Sequence, residues 1–124
     1  MENKLILEIF EYVKREYGTI PDNPWKNSPG NYVLRHKDTN KWYGLIMSVE
    51  RKKLGLSGTG IVDVINLKCE PLLADILRQQ SGILPAYHMN HVKWISVLLD
   101  GSVSMDTILG QIDMSYSLTD SNKK

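Results

Sequence analysis

The sequence has little of what stabilises secreted or membrane proteins. Cys69 is the single cysteine among 124 residues, so no internal disulfide can form, as is usual in reducing compartments. No apolar run approaches the roughly 18 to 20 residues that a membrane-spanning helix needs. The first residues lead into an amphipathic pattern with acidic side chains, which a signal peptide does not have. We therefore expect a cytoplasmic protein that does not contact a membrane.

The composition also lacks a strong bias in hydropathy. Hydrophobic residues make up 42% and charged residues 23% of the chain, values that are typical of a globular domain and argue against disorder. A chain of this length can bury a core as one domain without disulfides or metal. We expect a single domain over residues 1–118, followed by a polar C-terminal tail over residues 119–124.

The net charge of +1 is unevenly distributed along the chain. Residues 26–53 hold seven basic and two acidic side chains, so this segment carries +5 and the remainder −4. A local basic region can attract polyanions even when the whole protein is nearly neutral. Basic side chains also commonly do no more than solvate an exposed hairpin. The basic residues are Lys26, Arg35, Lys37, Lys41, Arg51, Lys52 and Lys53.

Apolar spacing and turn residues predict seven elements in the order α-β-β-β-α-β-α. Gly18 ends the first helix, Pro71 suits the first turn of the second, and Ser104 can cap the last. Asp38, Thr39 and Asn40 supply the turn of a β-hairpin. The fold class is therefore α+β, a mainly antiparallel sheet with helices packed on one face. The first helix is predicted over 3–17, the strands over 32–36, 41–50, 61–67 and 94–99, and the second helix over 71–80.

The same patterns predict how two segments pack. The second helix should bury Leu72, Leu73, Ile76 and Leu77. Trp25 lies in a loop interrupted by prolines, Pro29 among them, and an aromatic in such a loop usually packs it onto the core.

Two short motifs suggest chemistry but have simpler structural explanations. The glycines at 55, 58 and 60 read G-x-x-G-x-G, whereas a dinucleotide-binding loop reads G-x-G-x-x-G and opens a helix. A strand follows here, so we expect a turn. Glu50-Arg51-Lys52 is similar to half of a metal-dependent nuclease site, which would need Asp38 or Asp63 as a further carboxylate. Such a triplet is also common on charged strand ends.

Two histidines suggest metal or thiol chemistry. His88 and His91 would share a face on a helical turn and could bind a metal with Cys69 or His36. A Cys69–His88 catalytic pair is conceivable if the thiolate is exposed and stabilised. The sequence has no second closely spaced pair of ligands. We expect no cofactor and no metal.

The densest mixture of polar and aromatic residues is the stretch Pro85–Trp94. Tyr87 and Trp94 should pin it to the core, and the Asn90 side chain can cap a short turn. This stretch is either an architectural corner between helix and strand or a polar surface for phosphate and base contacts.

The residues Pro-Ala-Tyr-His-Met-Asn-His-Val-Lys-Trp resemble the Y-H-M-N-K-x-H-W signature of the small bacterial MmcQ/YjbR-like proteins. The resemblance implies one CyaY-like, double-wing domain and a DNA-binding role that rests on fold analogy. The chain departs from the pattern where His91 replaces the lysine and Lys93 replaces the histidine. Further matches are Pro24-Trp25, Tyr32 to His36, Lys41-Trp42-Tyr43, Asn66 to Pro71, Asp100-Gly101 and Ser115-Tyr116.

The leading hypothesis is a non-enzymatic DNA-binding domain whose basic hairpin contacts phosphates. The alternative is a protein-interaction or small-ligand-binding module, including a homodimer, and a third hypothesis is an enzyme that uses His88, His91 or Cys69. The predicted nucleic-acid-binding residues are Arg35, Lys37, Lys41, Arg51, Lys52 and Lys53 on the hairpin, and His88, Asn90, His91 and Lys93 beside it.

Overall fold

The fold is a computed structural model that describes residues 3–25, 27 and 30–120. Within this part of the chain the helices are α1 (Lys4–Tyr17), α2 (Pro71–Leu77) and α3 (Met105–Leu118). The strands are β1 (Tyr32–Arg35), β2 (Trp42–Glu50), β3 (Ile61–Lys68), β4 (Ile83–Pro85) and β5 (Trp94–Leu98), and a short 3₁₀ helix spans Arg51–Leu54. Lys26, Pro29 and residues 121–124 of the predicted tail lie outside the described residues.

The described strands form one antiparallel sheet in the order β1-β2-β3-β5-β4. The predicted α+β class and order of elements are confirmed. The structure adds β4, which pairs Ile83 with Val97 and Pro85 with Ile95 at one edge of the sheet. Three residues are too few to show the alternating pattern of a strand, so β4 could not be predicted from periodicity.

The helix ends follow from local chemistry that the sequence displays. The side chain of Asn3 accepts a hydrogen bond from the backbone N–H of Leu5 at the start of α1. Gly18 ends this helix in the left-handed conformation, with φ 67°. Ser104 caps α3 by accepting from the Thr107 N–H at 3.2 Å. The predicted stop at Gly18 and cap at Ser104 are confirmed.

The two faces of the sheet are covered differently, and we call them the helix face and the loop face. All three described helices pack on the helix face, as predicted, through residues such as Ile9, Leu77 and Ile108. The loop face is covered by the 3₁₀ helix, the chain that follows it, and the segment after β4. Its buried residues are Val33, Leu45, Met47, Val49, Val62, Val64 and Leu98, with Leu54, Leu56, Leu84 and Tyr87 packed over them.

The predicted buried face of α2 is half wrong. Leu77 is buried and Leu73 packs against the core, but Leu72 is 83% exposed and Ile76 60% exposed. Ala74 occupies the core position instead. The helix also ends at Leu77 rather than Gln80. With apolar residues at four of its first six positions, the spacing alone could not tell which side of this short helix faces the core.

Two further predictions differ from the structure. Trp25 does not pack onto the core: it is 37% exposed and belongs to neither buried cluster. Thr119, predicted to begin the polar tail, is buried and bonds the ring of His36. Among the described helices, none is both long and apolar enough to cross a lipid bilayer.

Candidate nucleic-acid interface

The stretch Pro85–Trp94 is held by a buried polar network that continues into β3 and β5. The amide of Asn66 donates to the Tyr87 carbonyl at 2.9 Å, and its carbonyl oxygen accepts from the Ser96 hydroxyl. The Tyr87 N–H donates to Ser96 Oγ at 2.9 Å. Asn66 and Ser96 are fully buried, so each polar atom needs a partner. This network fixes the corner where the chain turns from β4 towards β5.

Asn90 is used in the architecture of this corner. Its side-chain oxygen accepts from the N–H of Val92 at 2.8 Å and of Lys93 at 3.3 Å, which is an Asx turn. Its carbonyl accepts from Trp94 N–H at 3.0 Å as β5 begins. The predicted capping role of Asn90 is confirmed. The Lys93 carbonyl accepts from the Cys69 N–H at 2.7 Å, and the Lys93 side chain is exposed.

Three of the predicted basic and imidazole groups line one shallow groove on the loop face. Lys53, His88 and His91 lie there with Leu54, Leu84, Pro85, Ala86 and Tyr87. His88 has a positive φ of 61°, and its ring lies 3.9 Å from the ring of Tyr87. The structure therefore brings Lys53, which lies in the 3₁₀ helix after the hairpin, beside the corner.

Arg51 and Lys52 are engaged in local contacts instead. Arg51 Nε donates to the Ser57 carbonyl at 2.8 Å, which holds the loop that contains the three glycines. Lys52 and Lys53 both lie near Glu50, with N–O distances of 3.7 and 3.6 Å. These residues follow the C-terminal end of β2. The hairpin turn is at the other end of this strand, which is about 27 Å long for nine residues.

The hairpin turn gathers Arg35, Lys37 and Lys41. Lys37 and Lys41 are exposed, and no ion pair to either is found within the described residues. Arg35 is half-buried and its guanidinium lies 3.3 Å from the Asp22 carboxylate. Its Nε atom is buried without a hydrogen-bond partner in the described part of the chain. The turn itself forms at Asp38–Asn40 as predicted, with Asn40 N–H donating to the His36 carbonyl.

A β-bulge next to this turn determines which way its aromatic residues face. The register shifts between Leu34, which pairs with Gly44, and Arg35, which pairs with Trp42. Tyr43 is the extra residue, and it is fully buried on the helix face. Trp42 is consequently on the loop face beside Arg35. Its exposed fraction is 36%, and Trp25 packs edge-on against it at a ring-centroid distance of 5.9 Å.

The Trp25–Trp42 pair was missed from the sequence. Tryptophan is highly buried on average. Trp25 was therefore predicted to pack onto the core, and Trp42 was given no role. The feature that exposes Trp42 is a bulge, in which Tyr43 and Gly44 together face Leu34. No pattern in the residues themselves specifies a bulge, so the sequence contained no signal for this pair.

His36 and Cys69, the remaining candidates for chemistry, are buried. His36 Nε2 lies 2.7 Å from Thr119 Oγ1, and its ring packs against Tyr43 and Tyr116. Burial lowers the pKa of His36 and raises the pKa of the Cys69 thiol. In the part of the chain that the structure describes, no three His, Cys, Asp or Glu side chains are grouped so as to hold a metal ion.

Glu50 and Asp63, which the nuclease interpretation would need, have separate roles. Glu50 lies near Lys52 and Lys53. Asp63 lies on the helix face, where it accepts from Asn3 Nδ2 at 3.0 Å and from Ser48 Oγ at 2.7 Å. Asp38 is at the hairpin turn, beyond the other end of β2. The structure does not bring these three carboxylates together.

The fold and this surface define a class: a small α+β domain with one antiparallel sheet, whose loop face presents cations and tryptophans at one end. A family model described as YjbR matches residues 15–118, and the chain belongs to the YjbR family. It is 47% identical over 112 residues to the Bacillus subtilis (strain 168) protein YyaQ, covering 90% of this chain and 95% of that protein. A stretch of 53 residues is 43% identical to Escherichia coli (strain K12) YjbR, over 42% and 45% of the two chains.

Solved structures support the same fold. A crystal structure of a Pseudomonas syringae protein is 42% identical, has a TM-score of 0.88, and matches over 96% of this chain and 99% of its own. A Deinococcus radiodurans protein is 21% identical with a TM-score of 0.68, covering 94% of this chain and 79% of that one. The latter likeness concerns the fold alone.

Proposed function

We propose that this protein is a non-enzymatic nucleic-acid-binding domain that contacts phosphates through Arg35, Lys37 and Lys41. The observation that carries the proposal is the clustering of these cations at the hairpin turn beside an exposed tryptophan pair. Lys37 and Lys41 are exposed and have no ion pair among the described residues. Arg35 is held in place by Asp22 at 3.3 Å, so its planar guanidinium is already ordered. Arginine and lysine side chains supply many of the contacts that proteins make to phosphate oxygens.

A second contact region is the groove of Lys53, His88 and His91. It lies on the same face of the sheet, and the exposed Lys93 follows it in the chain. We assign this groove the smaller share of the binding, because it has one lysine where the turn has three cations. Asn90, Arg51 and Lys52 act on this surface indirectly, since their described contacts are within the protein.

The non-enzymatic part of the proposal is supported by how the reactive groups are used. Cys69 is 2% exposed, and burial raises its thiol pKa, which disfavours the thiolate that nucleophilic chemistry needs. His36 is 1% exposed and bonded to Thr119. Burial of this kind suits packing better than contact with a substrate.

The test is a charge reversal at one end of β2 compared with the same reversal at the other. Lys37→Glu/Lys41→Glu should weaken binding to a fluorescent oligonucleotide at low salt by about tenfold or more, because lost phosphate contacts remove their share of counterion release. Lys52→Glu/Lys53→Glu changes the net charge equally at the second contact region, and it should cause the smaller loss because both lysines already lie near Glu50. Fluorescence anisotropy gives both affinities. Equal losses in the two variants would show that only the overall charge matters and would refute the assignment to the turn.

A second candidate function is a protein-interaction module, and the exposed face of α2 favours it. Leu72, Ile76 and Val92 are 83%, 60% and 58% exposed, and Leu72 and Val92 line one groove. Contiguous exposed apolar groups often mark an interface. Sedimentation velocity of the wild type and of Leu72→Gln/Ile76→Gln tests this: association that the variant loses supports a homodimer, and a concentration-independent monomer counts against self-association.

A further inference from the structure

All three tryptophans of the chain lie outside both buried clusters. Trp25, Trp42 and Trp94 are absent from the helix-face core and from the loop-face core. Trp25 and Trp42 are more than a third exposed, and Trp94 is half-buried. Tryptophan has a large apolar surface whose exposure to water is costly. Three such side chains at one surface of a small domain call for an explanation other than packing.

Strand pairing places two of these tryptophans in a row with two cations. Arg35 pairs with Trp42 across β1 and β2, and Lys68 pairs with Trp94 across β3 and β5. Residues that pair directly share a face of the sheet. Arg35 follows Val33 at the two-residue period of the loop face, and Lys68 follows Val64 and Asn66 in the same way. We call Arg35, Trp42, Lys68 and Trp94 the tryptophan row.

The row alternates cation, aromatic, cation, aromatic across four adjacent strands. Neighbouring strands lie about 4.8 Å apart, so β2 and β5, which carry Trp42 and Trp94, are about 10 Å apart. All four residues are at the same end of the sheet as the hairpin turn, which adds Lys37 and Lys41. Trp25 packs edge-on against Trp42 and so limits the rotation of that ring.

We infer that the tryptophan row binds single-stranded nucleic acid by stacking unpaired bases on Trp42 and Trp94 while Arg35 and Lys68 contact the phosphates between them. This inference rests on the proposed function and specifies its ligand. Alternating aromatic faces and cations are what a single strand requires, because each nucleotide offers one flat base and one charge. A duplex keeps its bases stacked on each other, so it cannot offer their faces to tryptophan.

The bulge in β1–β2 makes this arrangement possible. Without the shift at Leu34 and Arg35, Trp42 would occupy the opposite face and Tyr43 the loop face. The bulge thus buries the tyrosine and directs the tryptophan to the surface next to Arg35. Bulges frequently redirect a side chain at a functional site in this way.

The experiment measures the binding of the full chain to four probes at one salt concentration. The probes are oligo(dT), oligo(U), a duplex of the same length, and inorganic polyphosphate of similar charge. Tryptophan fluorescence reports stacking directly, and anisotropy of labelled probes gives affinities. We expect oligo(dT), oligo(U) or both to bind at least about tenfold more tightly than the duplex and to quench the fluorescence, which polyphosphate does not.

The variants separate stacking from charge. Trp42→Ala should weaken single-strand binding by about 5- to 150-fold, the loss expected for one stacked base, and Trp42→Phe should retain most of the affinity because it keeps an aromatic face. Tyr12→Ala is the matched control, since this aromatic bonds Asp113 on the helix side. Circular dichroism of each variant verifies folding.

Each remaining outcome contradicts the inference in a distinguishable way. If the duplex binds as tightly as the single strands, or if Trp42→Ala binds normally while Lys37→Glu/Lys41→Glu does not, phosphate binding stands and stacking is refuted. If polyphosphate binds as tightly as the oligonucleotides, the bases contribute nothing to the affinity and the tryptophan row does not stack on them. If no probe binds at low salt, the proposed function fails together with the inference.

Discussion

At the scale of single residues, several buried polar groups hold the candidate interface through partners inside the protein. The Asn66 amide donates to the Tyr87 carbonyl and accepts from the Ser96 hydroxyl. The His36 ring is bonded to Thr119. Local signals such as the caps at Ser104 and Gly18 could be read from the sequence, because a cap acts on the neighbouring backbone. The partners of Asn66 lie 21 and 30 positions away, so only the fold reveals them.

The hydrogen bonds around His36 also indicate that its Nε2 atom carries a proton. The Thr119 hydroxyl donates to the Ser115 carbonyl at 2.7 Å, so its oxygen is left to accept from His36 Nε2–H at 2.7 Å. The neutral Nε2–H tautomer satisfies this arrangement. Burial is the main cause of the lowered pKa of His36, and nearby Asp120 and Asp38 offset it in part.

A pH dependence of stability follows from the lowered pKa of His36. The unfolded chain takes up this proton near pH 6.5, while the folded state resists it, so the free energy of unfolding falls as pH drops below about 6.5 towards the folded pKa. Urea unfolding at about pH 7.5 and pH 5.5 should show this fall, and His36→Gln should reduce it. His91→Gln, at an exposed site, is the control that should keep the wild-type difference. An unchanged pH dependence in His36→Gln would refute the assignment.

At the scale of elements, the sequence predicted where the strands and helices lie. It predicted less well which side of each element faces the core. The hairpin, the third strand and the helices follow from period and turn chemistry. Period and turn chemistry do not predict the bulge that exposes Trp42, and they do not predict which face of α2 points outward. Both features depend on how the element packs against the rest of the sheet. The groove that joins Lys53 to His88 likewise depends on the 3₁₀ helix folding over the loop face.

The orientation of α2 can be tested by truncating two leucines of the same helix. Leu77→Ala should lower the free energy of unfolding by about 2–5 kcal/mol, because the side chain is 6% exposed and leaves a cavity. Leu72→Ala is the matched substitution at a position that is 83% exposed, and it should change stability by no more than about 0.5 kcal/mol. Urea denaturation gives both values. A larger loss for Leu72→Ala would show that α2 buries the other side.

At the scale of the whole molecule, the net charge is near zero but the basic residues are gathered in local groups. The described basic residues of this segment divide between the hairpin turn and the residues that follow β2, on either side of the strand that the sequence predicted over 41–50. The sequence could not indicate that strand pairing places Lys68 opposite Trp94 and Arg35 opposite Trp42 at the same end of the sheet, since the two pairs are far apart in the chain.

The most direct test of the central claim, that this surface binds nucleic acid through its phosphates, is the salt dependence of the affinity for an oligonucleotide. Three cations at the hairpin turn that each neutralise one phosphate of a single strand predict a slope of about −2 for log K against log salt. Isothermal titration or anisotropy between about 20 and 200 mM salt gives this slope for the wild type. The account predicts measurable binding at the lowest salt and a steep, linear loss as salt rises. No binding at the lowest salt, or an affinity that salt does not change, would contradict it.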